Sequence, residues 1–163
     1  MISLKMEEKV NTFLKIAIEE AKKGMEKGEG GPFGAVIVKD GNIVAKTHNE
    51  VLKTNDPTAH AEIVAIRKAS KELKRFDLSD CEIYSTCEPC PMCLSAIYWA
   101  KIKKLYYICT REEAAEIGFD DNYIYEAISS NDREKRLKKI KIEDSNCKIL
   151  FEEWSEKEDK VQY

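Results

Sequence analysis

The sequence lacks the features that mark membrane-spanning and exported proteins. No apolar run approaches the length needed to cross a bilayer, and the first eight residues contain no apolar segment of a secretory signal. There is no surplus of positive charge, because the net charge at pH 7 is -3. The chain as a whole therefore lacks the electrostatic footprint of a nucleic-acid-binding protein. We expect a cytoplasmic protein with neither a membrane nor a nucleic acid as partner.

Histidine is also scarce, whereas cysteine is not. The chain has 163 residues, enough for one domain with its own hydrophobic core, and it contains six cysteines but only two histidines. Without an export signal, six cysteines indicate metal binding or catalysis in a reducing compartment rather than disulfides. We interpret His48 as an ordinary exposed histidine at the end of a strand, which leaves His60 as the histidine of interest.

The periodicity of the sequence predicts an α/β fold. Helical spacing of apolar residues predicts a first helix over residues 5–23, with Gly24 as its stop. The glycine-rich run at 28–34 predicts a tight turn where the backbone comes close to another group, and Asp40-Gly41 between two apolar runs predicts a hairpin. The other predicted elements are helices starting at 55–58 and at Pro89, strands at 81–86, 103–109 and 140–142, helices at 112–117, 126–138 and 149–160, and a loop at 118–125.

Two short segments carry the chemistry, His60-Ala61-Glu62 and Pro89-Cys90-Pro91-Met92-Cys93. One imidazole and two thiolates make three zinc ligands, and a zinc ion with three protein ligands keeps a fourth position open for water, as catalytic sites do. We expect both segments at helix N-termini, where the helix dipole favours a neutral histidine and ionised cysteines. Glu62 is not needed to bind metal, so we assign it proton transfer as catalytic base and acid, with its pKa raised by a dry site.

Other interpretations of these cysteines stay open. Cys87, Cys90 and Cys93 resemble the start of an iron–sulfur run, although its fourth cysteine is missing, since position 97 is Ile. Alternatively, Cys87 completes a closed structural zinc site in a non-catalytic interaction module. Neither alternative explains Glu62.

Several segments resemble the cytidine-deaminase-like superfamily and, within it, the bacterial guanine deaminases. They are Gly-Pro-Phe-Gly at 31–34, Asn-Asp-Pro-Thr-Ala-His-Ala-Glu at 55–62, Cys-Glu-Pro-Cys-Pro-Met-Cys at 87–93, Gly-Phe-Asp-Asp at 118–121 and the terminal Tyr163. The zinc motifs are shared with tRNA adenosine deaminases and cytosine deaminases, whereas the Gly-Phe-Asp-Asp loop and the terminal tyrosine point to guanine.

The resemblance implies a fold, an assembly and a reaction. The fold is a three-layer α/β/α sandwich around a five-stranded mixed sheet in a single domain over 1–163. The assembly is a homodimer with one zinc per subunit, in which the segment from about 145 to 163 is exchanged. The reaction is hydrolysis of guanine to xanthine and ammonia. Guanosine, cytosine or a pterin is an alternative substrate, and tRNA adenosine deamination is an alternative activity. The implied roles are an anchor for the purine ring (Asn49, with the Ala61 backbone N–H), a second proton-transfer group (Asp121), pocket walls (Phe33, Trp99) and a closing residue (Tyr163).

Overall fold

The computed structural model describes residues 4–129, 137–142 and 146–162. These form two compact units, Met1–Asn122 and Tyr123–Tyr163. The helices are α1 (Leu4–Glu26), α2 (Val51–Thr54), α3 (Ala61–Leu73), α4 (Pro91–Trp99), α5 (Arg111–Glu116), α6 (Asn122–Ser129) and α7 (Asn146–Glu156), and the strands are β1 (Gly34–Lys39), β2 (Asn42–His48), β3 (Cys81–Cys87) and β4 (Lys104–Cys109). None of these described helices is long and apolar enough to cross a bilayer.

The first unit is built on a mixed sheet with the strand order β2-β1-β3-β4. β1 pairs antiparallel with both β2 and β3, while β3 pairs parallel with β4. The β1–β2 pair is the predicted hairpin, in which Gly41 has a φ of 79° that favours glycine. The parallel β3–β4 pair places the ends of these two strands, Cys87 and Cys109, side by side.

Alternating residues of β1 face two separate hydrophobic cores, as the period of two along a strand requires. Ala35 and Ile37 pack with α3 and α4 on one face, and Val36 and Val38 pack with α1 on the other. Because helices cover both faces, the first unit is the predicted three-layer α/β/α sandwich. That prediction is confirmed.

The number of strands differs from the prediction. Within the described ranges the sheet has four strands, and residues 140–142 form no strand. Ile140 and Ile142 are 67% and 76% exposed. Two isoleucines around one lysine are too short an alternating pattern to define a strand. A strand also needs a neighbouring strand with which its backbone can pair. The predicted fifth strand is therefore wrong.

Several helix boundaries also differ from the prediction. α3 begins at Ala61 rather than at 55–58, because the Asp56 carboxylate accepts the Thr58 N–H at 2.8 Å and forms a turn ahead of the helix. α2 was not predicted. α6 begins inside the predicted 118–125 loop, and residues 130–136 of the predicted 126–138 helix lie outside the described residues.

The C-terminal end of α1 lies further along the chain than the sequence predicted. α1 continues to Glu26, past the predicted stop at Gly24. The glycine lies inside the helix because the ring of His48 packs against it: a Cβ at position 24 would come within 2.3 Å of His48 Cδ2. His48 is only 8% exposed, so its interpretation as an exposed histidine is wrong.

Candidate metal centre and active site

The three predicted metal ligands meet where two helices begin. His60 is the N-cap residue of α3, with φ −66° and ψ 154°, and Cys90 is the N-cap residue of α4, with φ −62° and ψ 167°. Neither side chain caps its own helix, so both project away from the backbone amides. Cys93 lies in the first turn of α4 and is fully buried. The helix starts therefore converge as the sequence predicted.

The spacing of the ligand atoms fits a tetrahedral zinc ion. His60 Nδ1 lies 3.6 Å from Cys90 Sγ and 3.5 Å from Cys93 Sγ, and all three atoms lie within 4.8 Å of one another. Zinc bonds of about 2.05 Å to nitrogen and about 2.3 Å to sulfur, at a tetrahedral angle, require a separation of about 3.6 Å between nitrogen and sulfur. One imidazole and two thiols at this spacing are a donor set that zinc prefers.

The two cysteines differ in their affinity for a proton. Cys90 accepts a hydrogen bond from the Cys93 thiol and another from the His60 ring, which lowers the pKa of Cys90 to about 4. The same contact, together with burial, raises the pKa of Cys93. The hydrogen bond to Cys90 also raises the pKa of His60, against the lowering that the helix dipole predicts. Binding of a divalent cation displaces the protons that these groups share.

Glu62 lies beside the ligands in a dry environment. It is 6% exposed, its Oε1 accepts a hydrogen bond from Ser85 Oγ at 2.9 Å, and its Oε2 lies 3.4 Å from Cys93 Sγ. Burial raises the pKa of the carboxyl, while the hydrogen bonds from its own backbone amide and from Ser85 oppose the rise. A buried carboxyl with a raised pKa, next to a metal centre, is suited to give up and take back a proton.

Asn49 lies next to the segment that carries His60. Glu50 N–H donates to the Ala59 carbonyl at 2.9 Å, and the Thr47 hydroxyl donates to the Ala61 carbonyl at 2.8 Å. These bonds tie both sides of Asn49 to that segment. Asn49 is 5% exposed, and its Oδ1 accepts Val51 N–H at 3.1 Å. No hydrogen bond from its Nδ2 occurs among the described residues, so this amide can donate to a ligand.

The glycine-rich turn leaves the space that the Asn49 side chain occupies. A Cβ at Gly30 would come within 2.2 Å of Asn49 Oδ1. The turn also holds Phe33, which is half-buried, packs against the α3–α4 core and meets Phe119 edge to face at a centroid distance of 4.9 Å. Phe33 is thus part of the core and also faces the loop that leads to Asp121.

Asp121 lies within electrostatic reach of the ligands. Burial and the charge of the Cys90 thiolate raise the pKa of the Asp121 carboxyl, and the Asp121 charge in turn contributes to the raised pKa of Cys87. The side chain is half-buried and lies within the first unit. The structure therefore brings Asp121 towards the cluster that Glu62 and the three ligands form.

One predicted site residue within the described ranges is not brought to the cluster. Trp99 is 67% exposed at the C-terminal end of α4, nine residues and about 13 Å along the helix from Cys90. Tyr163 lies outside the described residues. Their assigned contacts with a substrate stay predictions.

Cys87 is not positioned as a fourth ligand. The group of possible ligand atoms at the two helix starts consists of His60, Cys90 and Cys93, and Cys87 does not belong to it. The Cys87 thiol instead donates to the Thr110 carbonyl, with Sγ 3.6 Å from the oxygen. Burial is the main cause that raises the Cys87 pKa to about 12. Three protein ligands leave one coordination position for a water or substrate, which favours a catalytic site over a structural one.

Sequence reasoning missed Ser85 and His48. Ser85 lies inside β3 and is 1% exposed. Its only sequence signal is a small hydroxyl side chain between Tyr84 and Thr86, two residues before Cys87. His48 was noticed, but its burial depends on the packing of α1, which no local pattern reveals.

Comparisons with known proteins agree with this geometry. Residues 7–109 match the cytidine and deoxycytidylate deaminase zinc-binding region. A curated guanine deaminase of Bacillus subtilis is 48% identical over 152 residues, which are 93% of this chain and 97% of the relative. The X-ray structure of guanine deaminase from Bacillus subtilis has a TM-score of 0.90 at 48% identity and covers 94% of this chain and 98% of its own. A tRNA-specific adenosine deaminase of Aquifex aeolicus is 50% identical over 95 residues, 58% of this chain and 62% of the relative.

The family match and the ligand geometry specify the same cofactor. The matched region is zinc-binding by description, and the spacing of His60, Cys90 and Cys93 suits zinc. The chain therefore belongs to the family defined by the cytidine and deoxycytidylate deaminase zinc-binding region.

Proposed function

We propose that this protein hydrolyses guanine to xanthine and ammonia. The observation that carries the proposal is the buried Glu62 carboxyl, which lies 3.4 Å from the sulfur of Cys93, one of three zinc ligands with tetrahedral spacing. That arrangement serves hydrolysis of a carbon–nitrogen bond in a nucleobase. The choice of guanine rests on the relative of 48% identity, which is a guanine deaminase matched over 97% of its length.

The reaction consumes one water and transfers its protons through Glu62. His60, Cys90 and Cys93 would hold the zinc ion, which would supply a Lewis acid that lowers the pKa of a water towards neutrality. Glu62 accepts a proton from the water whose oxygen bonds to C2 of guanine, and delivers that proton to a ring nitrogen. It then transfers the second proton to the exocyclic amine as the carbon–nitrogen bond breaks. The raised pKa of Glu62 suits both directions of transfer.

The remaining side chains bind the ring and assist the leaving group. The Asn49 Nδ2 amide and the Ala61 backbone N–H anchor the purine, and Phe33 forms one wall of the pocket. Asp121, whose pKa is also raised, assists proton transfer at the exocyclic amine. All four lie within the first unit of the chain.

The active protein is a homodimer in the cytoplasm, in which residues from about 145 to 163 are exchanged and Tyr163 closes the partner's pocket. Exposed apolar side chains support the assembly: Tyr98 and Tyr107 are 76% and 46% exposed, and Phe151 of α7 is 65% exposed. Such side chains are commonly covered in an oligomer. Trp99 lies next to Tyr98 and lines the pocket in the assembled dimer. Six free cysteines support a reducing compartment.

A substrate panel tests the activity. The zinc-loaded protein is incubated separately with guanine, guanosine, cytosine, cytidine, adenine and tRNA, and ammonia release is measured. Guanine is expected to be the preferred substrate. Glu62→Gln should retain zinc and lose turnover, whereas Glu72→Gln, an exposed glutamate on the same helix, should match the unaltered protein. Preference for tRNA, or full activity of Glu62→Gln, would overturn the proposal.

Complementation tests the exchange. Tyr163→Ala and Glu62→Gln are each expected to be impaired as homodimers. When the two variants are mixed after unfolding and refolding together, an exchanged dimer contains one site with both native side chains, so about a quarter of the normal activity should return. Without exchange the mixture regains nothing, although light scattering still reports a dimer.

A further inference from the structure

A buried histidine lies between two carboxylates just before Asn49. His48 Nε2 lies 2.5 Å from Glu29 Oε2, and His48 Nδ1 lies 3.4 Å from Glu20 Oε2. The His48 ring is 8% exposed and Glu20 also 8%. A neutral imidazole has one N–H and can donate to one carboxylate, whereas the doubly protonated ring donates to both. We name His48, Glu20 and Glu29 the histidine cluster.

The histidine cluster joins three separate parts of the chain. Glu20 belongs to α1, Glu29 to the glycine-rich turn, and His48 to the end of β2. Contacts this far apart in sequence fix the relative positions of the segments that carry them. The turn and β2 are the segments that enclose Asn49.

Lysines complete the charge balance of the cluster. Lys53 Nζ lies 3.4 Å from Glu29 and 3.1 Å from Glu50, while Lys23 and Lys46 lie 3.8 Å and 3.9 Å from Glu20. The ligand atoms of Glu29, His48 and Glu50 lie within 4.8 Å of one another, as in a metal site. The Lys53 ammonium bridges both carboxylates and supplies a cation at this place.

Glu29 holds the chain on both sides of Asn49. Its side chain binds His48, the residue before Asn49, and its carbonyl accepts the N–H groups of Leu52 and Lys53 in α2, both at 3.0 Å. Asn49 is therefore fixed from both directions by one residue of the turn. The turn itself touches Asn49, since a Cβ at Gly30 would clash with Asn49 Oδ1.

We propose that His48 is a positioning residue that orients Asn49 for the purine ring, with Glu29 and Glu20 as its partners. The cluster sets the affinity for the base, and Glu62 and the metal ligands carry out the chemical step. This inference rests on the proposed function, because it assigns Asn49 a flat polar ring as ligand.

Binding to an inactive enzyme separates this inference from the proposed function. In the zinc-loaded Glu62→Gln background, the dissociation constant for guanine is measured by equilibrium titration. His48→Gln should weaken binding by on the order of tenfold, the size of one lost hydrogen bond. In the active enzyme the same change should raise KM by a similar factor, with kcat and zinc content little altered. Asp80→Asn, which removes an exposed ion pair with Arg75, is the matched control and should change neither constant.

A second background shows whether His48 acts through Asn49. If it does, His48→Gln should have no further effect on guanine binding once Asn49 is replaced by Ala. An equal loss of affinity in both backgrounds, or no loss in either, overturns the inference. Should His48→Gln fail to fold, Glu29→Gln gives the same comparison. Failure of the Glu62→Gln protein to bind guanine at all would instead refute the proposed function.

Discussion

Replacement of Ser85 by Ala should change the pH dependence of the reaction. Ser85 Oγ donates to Glu62 Oε1 at 2.9 Å, and both side chains are buried. This hydrogen bond stabilises the ionised carboxylate, so it lowers the pKa of Glu62 against the rise that burial causes. Without the hydroxyl, the metal ligand Cys93 is the one remaining described side chain with a hydrogen-bonding atom within 3.5 Å of that carboxylate, and as a zinc-bound thiolate it has no proton to donate.

The magnitude follows from the strength of a hydrogen bond to a charged group. Such a bond contributes about 1.5–3 kcal/mol, so Ser85→Ala should raise the Glu62 pKa and lower kcat/KM at a pH below that pKa by about 10- to 100-fold. Glu62 must be ionised to accept a proton from water. A higher pKa therefore moves the acid limb of kcat/KM to higher pH. Along that limb kcat/KM falls about tenfold for each unit by which the pH decreases.

The assay is ammonia release from guanine across a series of pH values. Ser95→Ala is the matched control, because the Ser95 hydroxyl bonds to the Pro91 carbonyl at 2.7 Å on the helix that carries Cys93 and does not contact Glu62. The control should leave the acid limb in place. A Ser85→Ala profile that coincides with the unaltered one, at equal zinc content, would show that this hydrogen bond does not set the Glu62 pKa.

Three further predictions concern the same site. In zinc-free protein, Glu62→Gln should raise the melting temperature at neutral pH. The folded state raises the Glu62 pKa above its ordinary value of 4.5, so the ionised carboxylate destabilises the fold only above pH 4.5, and the gain should vanish below that pH. Scanning calorimetry that gives a pH-independent difference would contradict this. Cys87→Ala should leave zinc content unchanged by metal analysis and cost about 1 kcal/mol of stability, since its thiol bonds to Thr110; loss of zinc would restore Cys87 as a ligand. Asp121→Ala should reduce kcat more than zinc content, and an unchanged kcat would remove its assigned role.

The metal ligands were predictable because their pattern is local. His-x-Glu and Cys-x-x-Cys each precede a helical run, and a side chain at a helix start has few directions available. The strands of the hairpin were predictable for the same reason, since Asp40-Gly41 favours one turn geometry. The glycine-rich turn was predicted to bring the backbone close to another group. The sequence did not indicate that this group is Asn49.

The errors concern features that depend on distant contacts. The burial of His48 requires α1 to pass over it with a glycine at position 24, and these two residues are separated by a turn and a hairpin. Ser85 lies in a strand where a serine has no distinctive pattern, and only the fold brings it to Glu62. The start of α3 was predicted too early because the Asp56 turn and a helix cap use the same residue types.

The capping positions of His60 and Cys90 couple metal occupancy to local helix order. A serine or aspartate at such a position would bond to the free amides of the first turn and contribute about 1 kcal/mol, but these two side chains make no such bond. Coordination would instead fix their orientation when zinc is bound. Zinc release should therefore accelerate hydrogen exchange at the first-turn amides of α3 and α4 well before it affects the central strands. In this fold the exchange protection of the first-turn amides of α3 and α4 should therefore report how much of the protein is bound to metal.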